Sequence, residues 1–268
     1  MNHPIGVIDS GVGGLTVVHE LMRQLPKEKL IYIGDTLRCP YGPRPKKEVK
    51  KFTWEMVRFL LKKNIKMLIV ACNTATAFAL TELQENLDIP VLGVIQPGAR
   101  SAIKATQTNH IGIIGTEGTI RSEAYPTALK SIKANISVSA LACPLFVPMV
   151  EQGILSGEQA ENVISDSLQT INKDDDMDTL ILGCTHYPLI KETIQKVMGK
   201  DVTLISSSEE TARETSTILD VHHLLNIEEK IPNHQFYATG NLNIFTKISQ
   251  SIFKYENLGK LTIENVKI

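Results

Sequence analysis

Two cysteines carry the chemistry this sequence offers. Cys72 follows the apolar run Met67-Leu68-Ile69-Val70-Ala71 and precedes Asn73-Thr74 and an Ala-rich segment. A continuous apolar run, rather than an alternating one, reads as a buried parallel strand, and the Ala-rich stretch reads as a helix. Cys184 repeats the arrangement: Leu180-Ile181-Leu182-Gly183 before it, Thr185-His186 after it, then a helix start in which the missing N–H of Pro188 costs nothing. Side chains at the C-terminal ends of parallel strands face the crevice where α/β proteins bind ligands. Free N–H groups at the next helix start favour a thiolate there.

Both cysteines are followed by polar residues where a core would be apolar, which favours a functional reading. Two opposed thiols could take a proton from one face of a carbon and deliver one to the other, a stereoinversion by general acid–base catalysis. Alternatively, one thiol oriented or activated by His186 could act as a covalent nucleophile. Proton abstraction calls for a depressed thiol pKa, because an unperturbed cysteine near about 8.5 is mostly protonated at neutral pH. Cys39 and Cys143 lack the strand–cysteine–polar–helix context and are expected to be structural.

The surrounding elements must bring the two cysteines together. Ile5-Gly6-Val7-Ile8 reads as a strand leading to Asp9-Ser10 and a glycine-rich turn, with a helix from Leu15 to Leu25 closed by Pro26. Thr16 stands where a dinucleotide fingerprint needs glycine, and no Gly-Lys-Ser/Thr ending follows, which argues against nucleotide binding. A second strand, Leu30 to Asp35, runs into Thr36 to Pro45, a proline-rich loop. Its Arg38, Tyr41 and Arg44 could hold a charged substrate or simply form a surface connection. Lys46 to Lys63 reads as an amphipathic helix with a solvated face.

After the Cys72 unit and a short strand (Val91 to Ile95), Gln96-Pro97-Gly98 punctuates the chain as a domain crossing. Ile111 to Gly118 then echoes the opening strand and Gly loop, and the intervals Asp9–Cys72 and Gly115–Cys184 are similar in length. The expected fold is therefore α/β: two similar lobes, each a mostly parallel sheet flanked by helices, with the active site in the cleft between them. Residues 1–97 plus 208–268 would form the N-terminal lobe and residues 98–207 the second. Pro144 and Pro148 flank an apolar run ending at Glu151; Lys173 to Asp178 reads as a charged turn; Ser206 to Ser208 offer a cap for a helix from Glu209 to Leu219. Gln235–Ala238 and Leu261–Val266 read as late strands and Asn241–Lys254 as a helix, a tail returning to complete the first lobe.

Composition bounds the rest. The chain of 268 residues is 43% hydrophobic and 21% charged with a net charge of −1, so it carries no general electrostatic footprint for nucleic acid or an anionic membrane. No run approaches the roughly 20 apolar residues of a membrane span, and the N-terminal apolar run is too short for a signal peptide. Four cysteines without a C-x-x-C pair suggest reduced thiols rather than disulfides or zinc, and a cytoplasmic location is expected.

GVIDSGVGGLTV (Gly6 to Val17), RCPYGPRP (Arg38 to Pro45), ACNTATA (Ala71 to Ala77), GTEGT (Gly115 to Thr119), CPLFVPMVE (Cys143 to Glu151) and GCTHYPL (Gly183 to Leu189) together resemble the glutamate racemases of the aspartate/glutamate racemase superfamily. TARE (Thr211 to Glu214) and FYATG (Phe236 to Gly240) extend the match. The resemblance implies interconversion of L- and D-glutamate for peptidoglycan, without pyridoxal phosphate, other cofactor or metal, in a homodimer. By resemblance Cys72 exchanges the proton of D-glutamate and Cys184 that of L-glutamate. Asp9 and His186 assist the two thiols, and Glu151 matches a further acidic position. Asp9, Ser10, Tyr41, Gly42, Asn73, Thr74, Thr185 and His186 correspond to substrate-holding positions. An aspartate or hydantoin substrate stays open on residue spacing alone, as does a two-lobed binding protein with inert cysteines.

Overall fold

The computed structural model describes residues 2–171, 176–228, 230–253 and 263–268. Expectations for Lys173 to Asp175, Lys254 and Leu261-Thr262 fall outside them. Among the described residues, two parallel sheets form the frame. The first contains β1 (Ile5–Asp9), β2 (Leu30–Gly34), β3 (Met67–Val70), β4 (Val91–Gly93), β9 (Gln235–Ala238) and β10 (Ile263–Asn265), in the order β10-β9-β2-β1-β3-β4. The second contains β5 (His110–Gly115), β6 (Ser137–Ala142), β7 (Thr179–Gly183) and β8 (Thr203–Ile205), in the order β6-β5-β7-β8. Every pairing is parallel.

The order β2-β1-β3-β4 is matched position for position by β6-β5-β7-β8, so the echo seen in the sequence is a repeat of topology. Asp9 and Gly115 end the equivalent strands β1 and β5, while Cys72 and Cys184 follow the equivalent strands β3 and β7. Parallel strands need crossover connections, and these are helices. Chief among them are α1 (Leu15–Gln24), α2 (Lys46–Leu61), α3 (Asn73–Asn86) and α4 (Ile95–Ala105). The second lobe adds α5 (Glu117–Arg121), α6 (Ala124–Ile132), α7 (Phe146–Glu151), α8 (Glu158–Leu168) and α9 (Lys191–Met198).

Strand alternation divides the side chains between cores on opposite sheet faces. Ile5, Val7, Tyr32, Met67 and Ile69 join one core with α1 residues Leu15, Val18 and Leu21. Ile8, Ile31, Ile33, Leu68 and Val70 join another with Val49, Met56 and Leu60 of α2. In the second sheet Ile111 and Ile113 pack with Ala99, Ala102 and Leu129, and Ile114 packs with Phe146, Ile164 and Ile194. The inner strands β1, β3, β5 and β7 are thus buried on both faces, which is why their sequences are largely apolar.

Two local expectations are corrected. Gln96-Pro97-Gly98 does not break the chain but lies in the first turn of α4, where a proline N–H would have no helical partner anyway. The chain passes between the sheets through this helix. The helix after Ser206 starts at Ser207 rather than Glu209: α10 (Ser207–Val221) is capped by Ser206, whose hydroxyl accepts from the Ser208 N–H. The chain then returns to the first sheet, with α10 against α1 and β9 beside β2, followed by α11 (Leu242–Ile252).

The first sheet also fixes the glycine loop after β1. Tyr32 donates its hydroxyl to the Gly11 carbonyl at 2.7 Å. A Cβ on Gly34 would lie only 2.3 Å from that same oxygen, which is backbone and cannot swing aside. Gly34→Ala is therefore expected to destabilise the fold by about 1–3 kcal/mol, read as a lower urea midpoint with an unchanged slope. An unchanged midpoint would show that the loop has room to move.

Candidate active site

Cys72 is the N-cap residue of α3, and its Sγ accepts from the Ala75 N–H at 3.4 Å. Ser10 Oγ lies 3.5 Å from the same sulfur. The thiol is nonetheless pushed up to about 12, first by burial and second by the Asp9 carboxylate, against the donors Ser10 and Ala75. The expected depression of the thiol pKa by the helix start is thus overturned at Cys72. Two neutral donors do not offset removal from water beside a carboxylate.

Cys184 follows β7, and its Sγ lies 3.7 Å from His186 Nδ1. His186 is 1% exposed, and its Nε2 faces Glu151 Oε1 at 2.6 Å. Burial would push this imidazole down, but the acceptors Cys184, Cys39 and Glu151 outweigh it and hold the ring well above its ordinary value. Burial raises Glu151, while the His186 contact, the Val12 N–H and Cys39 together hold the carboxyl below its usual range. Both directions favour an ion pair of imidazolium with carboxylate.

The two lobes are joined through these groups. Asp9, fully buried at the end of β1, accepts from the Gly11 N–H at 2.9 Å and from the Thr185 hydroxyl of the other lobe at 3.1 Å. Burial raises the Asp9 carboxyl, opposed by the His186 charge and by Gly11, Gly14 and Thr185. Glu151 accepts from the Val12 N–H at 3.2 Å across the same seam. Gly13 permits the approach: a Cβ there would sit 2.5 Å from both Thr185 Oγ1 and His186 Nδ1.

On the far side of the cleft, Thr74 Oγ1 lies 2.8 Å from Thr116 Oγ1 and 3.1 Å from Thr119 Oγ1, and the Gly118 N–H donates to the Gly42 carbonyl at 2.9 Å. Tyr125 donates to Asn73 Oδ1 at 2.7 Å, while Asn73 Nδ2 is buried with no protein partner among the described residues. Ser10, Tyr41, Gly42, Cys72, Asn73 and Thr74 face Thr116, Val147, Cys184, Thr185 and His186 around a closed cavity of about 10 Å³. That is room for roughly one water molecule.

The structure thus brings together at one cavity all the residues expected to hold substrate except Asp9. Asp9 and Glu151 stand behind the wall, hydrogen-bonded to Thr185 and His186 respectively. Thr116 was not singled out in the sequence, although GTEGT marked its loop. Cys39, expected to be structural, lies 3.5 Å from Glu151 Oε1 beside His186; the signal was its place next to Pro40-Tyr41-Gly42. Burial pushes its thiol up to about 12, opposed by His186.

Arg38 and Arg44 do not face the cleft. Arg38 pairs with Asp35 and Glu55 and lies 4.0 Å over the Phe52 ring, and Arg44 binds Glu48 and the Arg38 carbonyl, each at 2.9 Å. They brace the loop that places Tyr41, whose hydroxyl donates to Asp35.

Two matched α/β lobes with a thiol at each equivalent strand end, meeting over a closed polar cavity, define a protein built for acid–base chemistry on a small polar molecule. The chain belongs to the Asp/Glu/Hydantoin racemase family, whose pattern it matches over residues 5–215, and it is an isomerase of the racemase class. It is 67% identical to the glutamate racemase of Oceanobacillus iheyensis over all of this chain and 98% of the relative. The crystal structure of glutamate racemase isoform RacE1 from Bacillus anthracis superposes with a TM-score of 0.94 at 48% identity, covering 99% of this chain and 98% of that one. The Francisella tularensis glutamate racemase, solved in complex with D-glutamate, gives a TM-score of 0.90 at 38% identity over 99% and 98% of the two chains.

The His186–Glu151 pair has a pH signature. Because the folded histidine pKa is raised and the Glu151 pKa lowered, the pair's contribution is complete between the unfolded values of about 4.3 and 6.5; it is lost as pH rises through the folded histidine value or falls through the folded glutamate value. Histidine NMR is expected to show His186 titrating clearly above the ordinary histidine value. Glu151→Gln should move it downward. An unperturbed His186 in the unmodified protein would remove the ion pair.

Proposed function

We propose that the chain interconverts L- and D-glutamate by two-base proton transfer between Cys72 and Cys184, using no cofactor or metal. The observation that carries this reading is the placement of both thiols, at the ends of equivalent strands, on one closed cavity lined by hydroxyl, amide and imidazole groups. A single nucleophilic cysteine would leave the second thiol without a task. The relatives named glutamate racemase support the choice of substrate.

In the L-to-D direction the Cys184 thiolate removes the α-proton from one face, with the His186 imidazolium 3.7 Å away as counter-charge. The electron pair left on the α-carbon then takes the Cys72 proton on the opposite face, leaving Cys72 as thiolate. The high pKa of Cys72 suits it to begin this turnover protonated. The reverse direction exchanges the roles. Asp9 and Glu151 act behind the two sides, Asp9 as a buried charge near Cys72 and Glu151 by holding His186 cationic.

Ser10, Tyr41, Gly42, Asn73, Thr74, Thr185 and His186 would hold the two carboxylates and the ammonium. Unpaired Asn73 Nδ2 supplies a buried donor that a carboxylate would satisfy. Thr116, beside Thr74, would join them. We assign residues 1–97 plus 208–268 to the lobe presenting Cys72 and residues 98–207 to the lobe presenting Cys184. No helix among the described residues is long and apolar enough to cross a membrane. A cytoplasmic homodimer supplying D-glutamate for peptidoglycan is the proposed setting, on the resemblance to the glutamate racemases.

The test is incubation of purified protein with L-glutamate in D₂O without added cofactor. Optical rotation is expected to fall, with early D-glutamate carrying solvent deuterium while residual L-glutamate carries much less. Cys72→Ser and Cys184→Ser should each lower turnover by at least roughly 10²–10⁴-fold, the range of a general acid–base contribution, with glutamate binding largely kept. Full turnover in either variant would sink the two-base mechanism. Turnover of aspartate or a hydantoin in place of glutamate would reassign the substrate.

A further inference from the structure

His186 turns Nδ1 toward Cys184 and Nε2 away from it. Around Nε2 stand two groups that take no part in the proton transfers proposed above as acid or base: Glu151 Oε1 at 2.6 Å and the thiol of Cys39. The three ligating atoms, Cys39 Sγ, Glu151 Oε1 and His186 Nε2, all lie within 4.8 Å of one another. They converge on Gly11, where a Cβ would be 2.3 Å from the carboxylate oxygen, 2.9 Å from the sulfur and 3.2 Å from the ring nitrogen. We propose that this trio is an inhibitory binding site for Zn²⁺ or a similar borderline-soft divalent cation.

The donor set is one thiolate, one imidazole and one carboxylate, three protein ligands with a fourth position left open, a combination zinc favours. Zinc bond lengths of about 2.0–2.3 Å in a tetrahedron place ligand atoms roughly 3.3–3.7 Å apart. Cys39 Sγ and Glu151 Oε1 already stand 3.5 Å apart, and the 2.6 Å pair of Glu151 and His186 need only separate by roughly 0.7 Å. Glu151 is 21% exposed at its side chain, which gives a cation a route from solvent. Loading releases two protons to solvent, one from the Cys39 thiol and one from His186 Nε2, and the metal takes both places. The ring is then neutral, with its remaining proton on Nδ1. The two protons lost are matched by the metal's two charges, so the ion acts as a clamp: Cys39 of one lobe and Glu151 and His186 of the other become ligands of one cation, which ties the lobes shut, and racemisation stops while the cation is bound.

The test uses the full chain with Co²⁺ as the spectroscopic stand-in for Zn²⁺. One equivalent of Co²⁺ is expected to give a thiolate-to-cobalt charge-transfer band, displaced by Zn²⁺. That band should survive in Cys72→Ser and Cys184→Ser and vanish in Cys39→Ser. Glu151→Gln should weaken binding by at least roughly 10-fold, a second variant in case Cys39→Ser fails to fold. A band retained in Cys39→Ser, or lost in either of the other serine variants, would place the metal on the cleft thiols and overturn the site. No band at all would make the trio a hydrogen-bond relay only. Zn²⁺ should also inhibit racemisation reversibly with chelator, and Co²⁺ binding as described without such inhibition would overturn its inhibitory character. This last arm alone rests on the proposed function. A protein that binds Co²⁺ through Cys39 yet racemises nothing would refute that reading and leave the site standing.

Discussion

The seam between the lobes is closed by hydrogen bonds to one buried carboxylate, Asp9, and one partly buried carboxylate, Glu151, and the cavity depends on them. Asp9 belongs to the first sheet and receives Thr185 from the second; Glu151 belongs to the second and receives Val12 from the first. A buried carboxylate is costly unless its oxygens are satisfied. Each is satisfied partly by the opposite lobe, so the burial of these charges and the docking of the lobes are a single condition. The glycines of the first loop make it sterically possible, because Thr185 and His186 occupy the space a side chain at Gly13 would need.

From that seam follows an electrical asymmetry between two otherwise matched halves. The Cys184 side carries an imidazolium locked to Glu151, whereas the Cys72 side carries Asp9, a hydroxyl and one backbone N–H. The fold repeats; the charges do not. The departure from symmetry lies in the loops, where Thr185-His186 stands in place of Asn73-Thr74.

Much of this was legible in the sequence. The strands at Cys72 and Cys184 were readable because burial on both faces demands an unbroken apolar run, and the echo of Ile5–Gly11 in Ile111–Gly118 proved to be the same sheet order twice. What stayed hidden was set by tertiary electrostatics. A helix start after Cys72 suggested a lowered pKa, yet burial beside Asp9 reverses the direction, and no local pattern reports on burial or on a carboxylate far away in sequence. Cys39 lacked a strand before it and was set aside, although its loop crosses to Glu151. Arg38 and Arg44 were reasonable anion ligands by type, but Asp35, Glu55 and Glu48 claim them. Gln96-Pro97-Gly98 read as a break because proline and glycine punctuate most helices, and only the first turn of α4 tolerates them so well.

A cavity of about 10 Å³ cannot admit an amino acid, so turnover requires the lobes to part. The contacts that must break at the cleft are mainly polar: Asp9 with Thr185, Glu151 with Val12 and Cys39, Thr74 with Thr116 and Thr119, Tyr125 with Asn73, and Gly118 with Gly42. Each neutral hydrogen bond contributes about 0.5–1.5 kcal/mol net, because water replaces the lost partner, and those to carboxylates about 1.5–3. Opening on this scale costs several kcal/mol, well within the microsecond-to-millisecond range of lobe motions. Most of each apolar core lies within its own lobe, with Leu189, Cys39 and Ala77 packing across between them. The same hydrogen bonds therefore serve two ends: they exclude water from the thiols while the site is closed, and they are weak enough, taken one by one, to let substrate in.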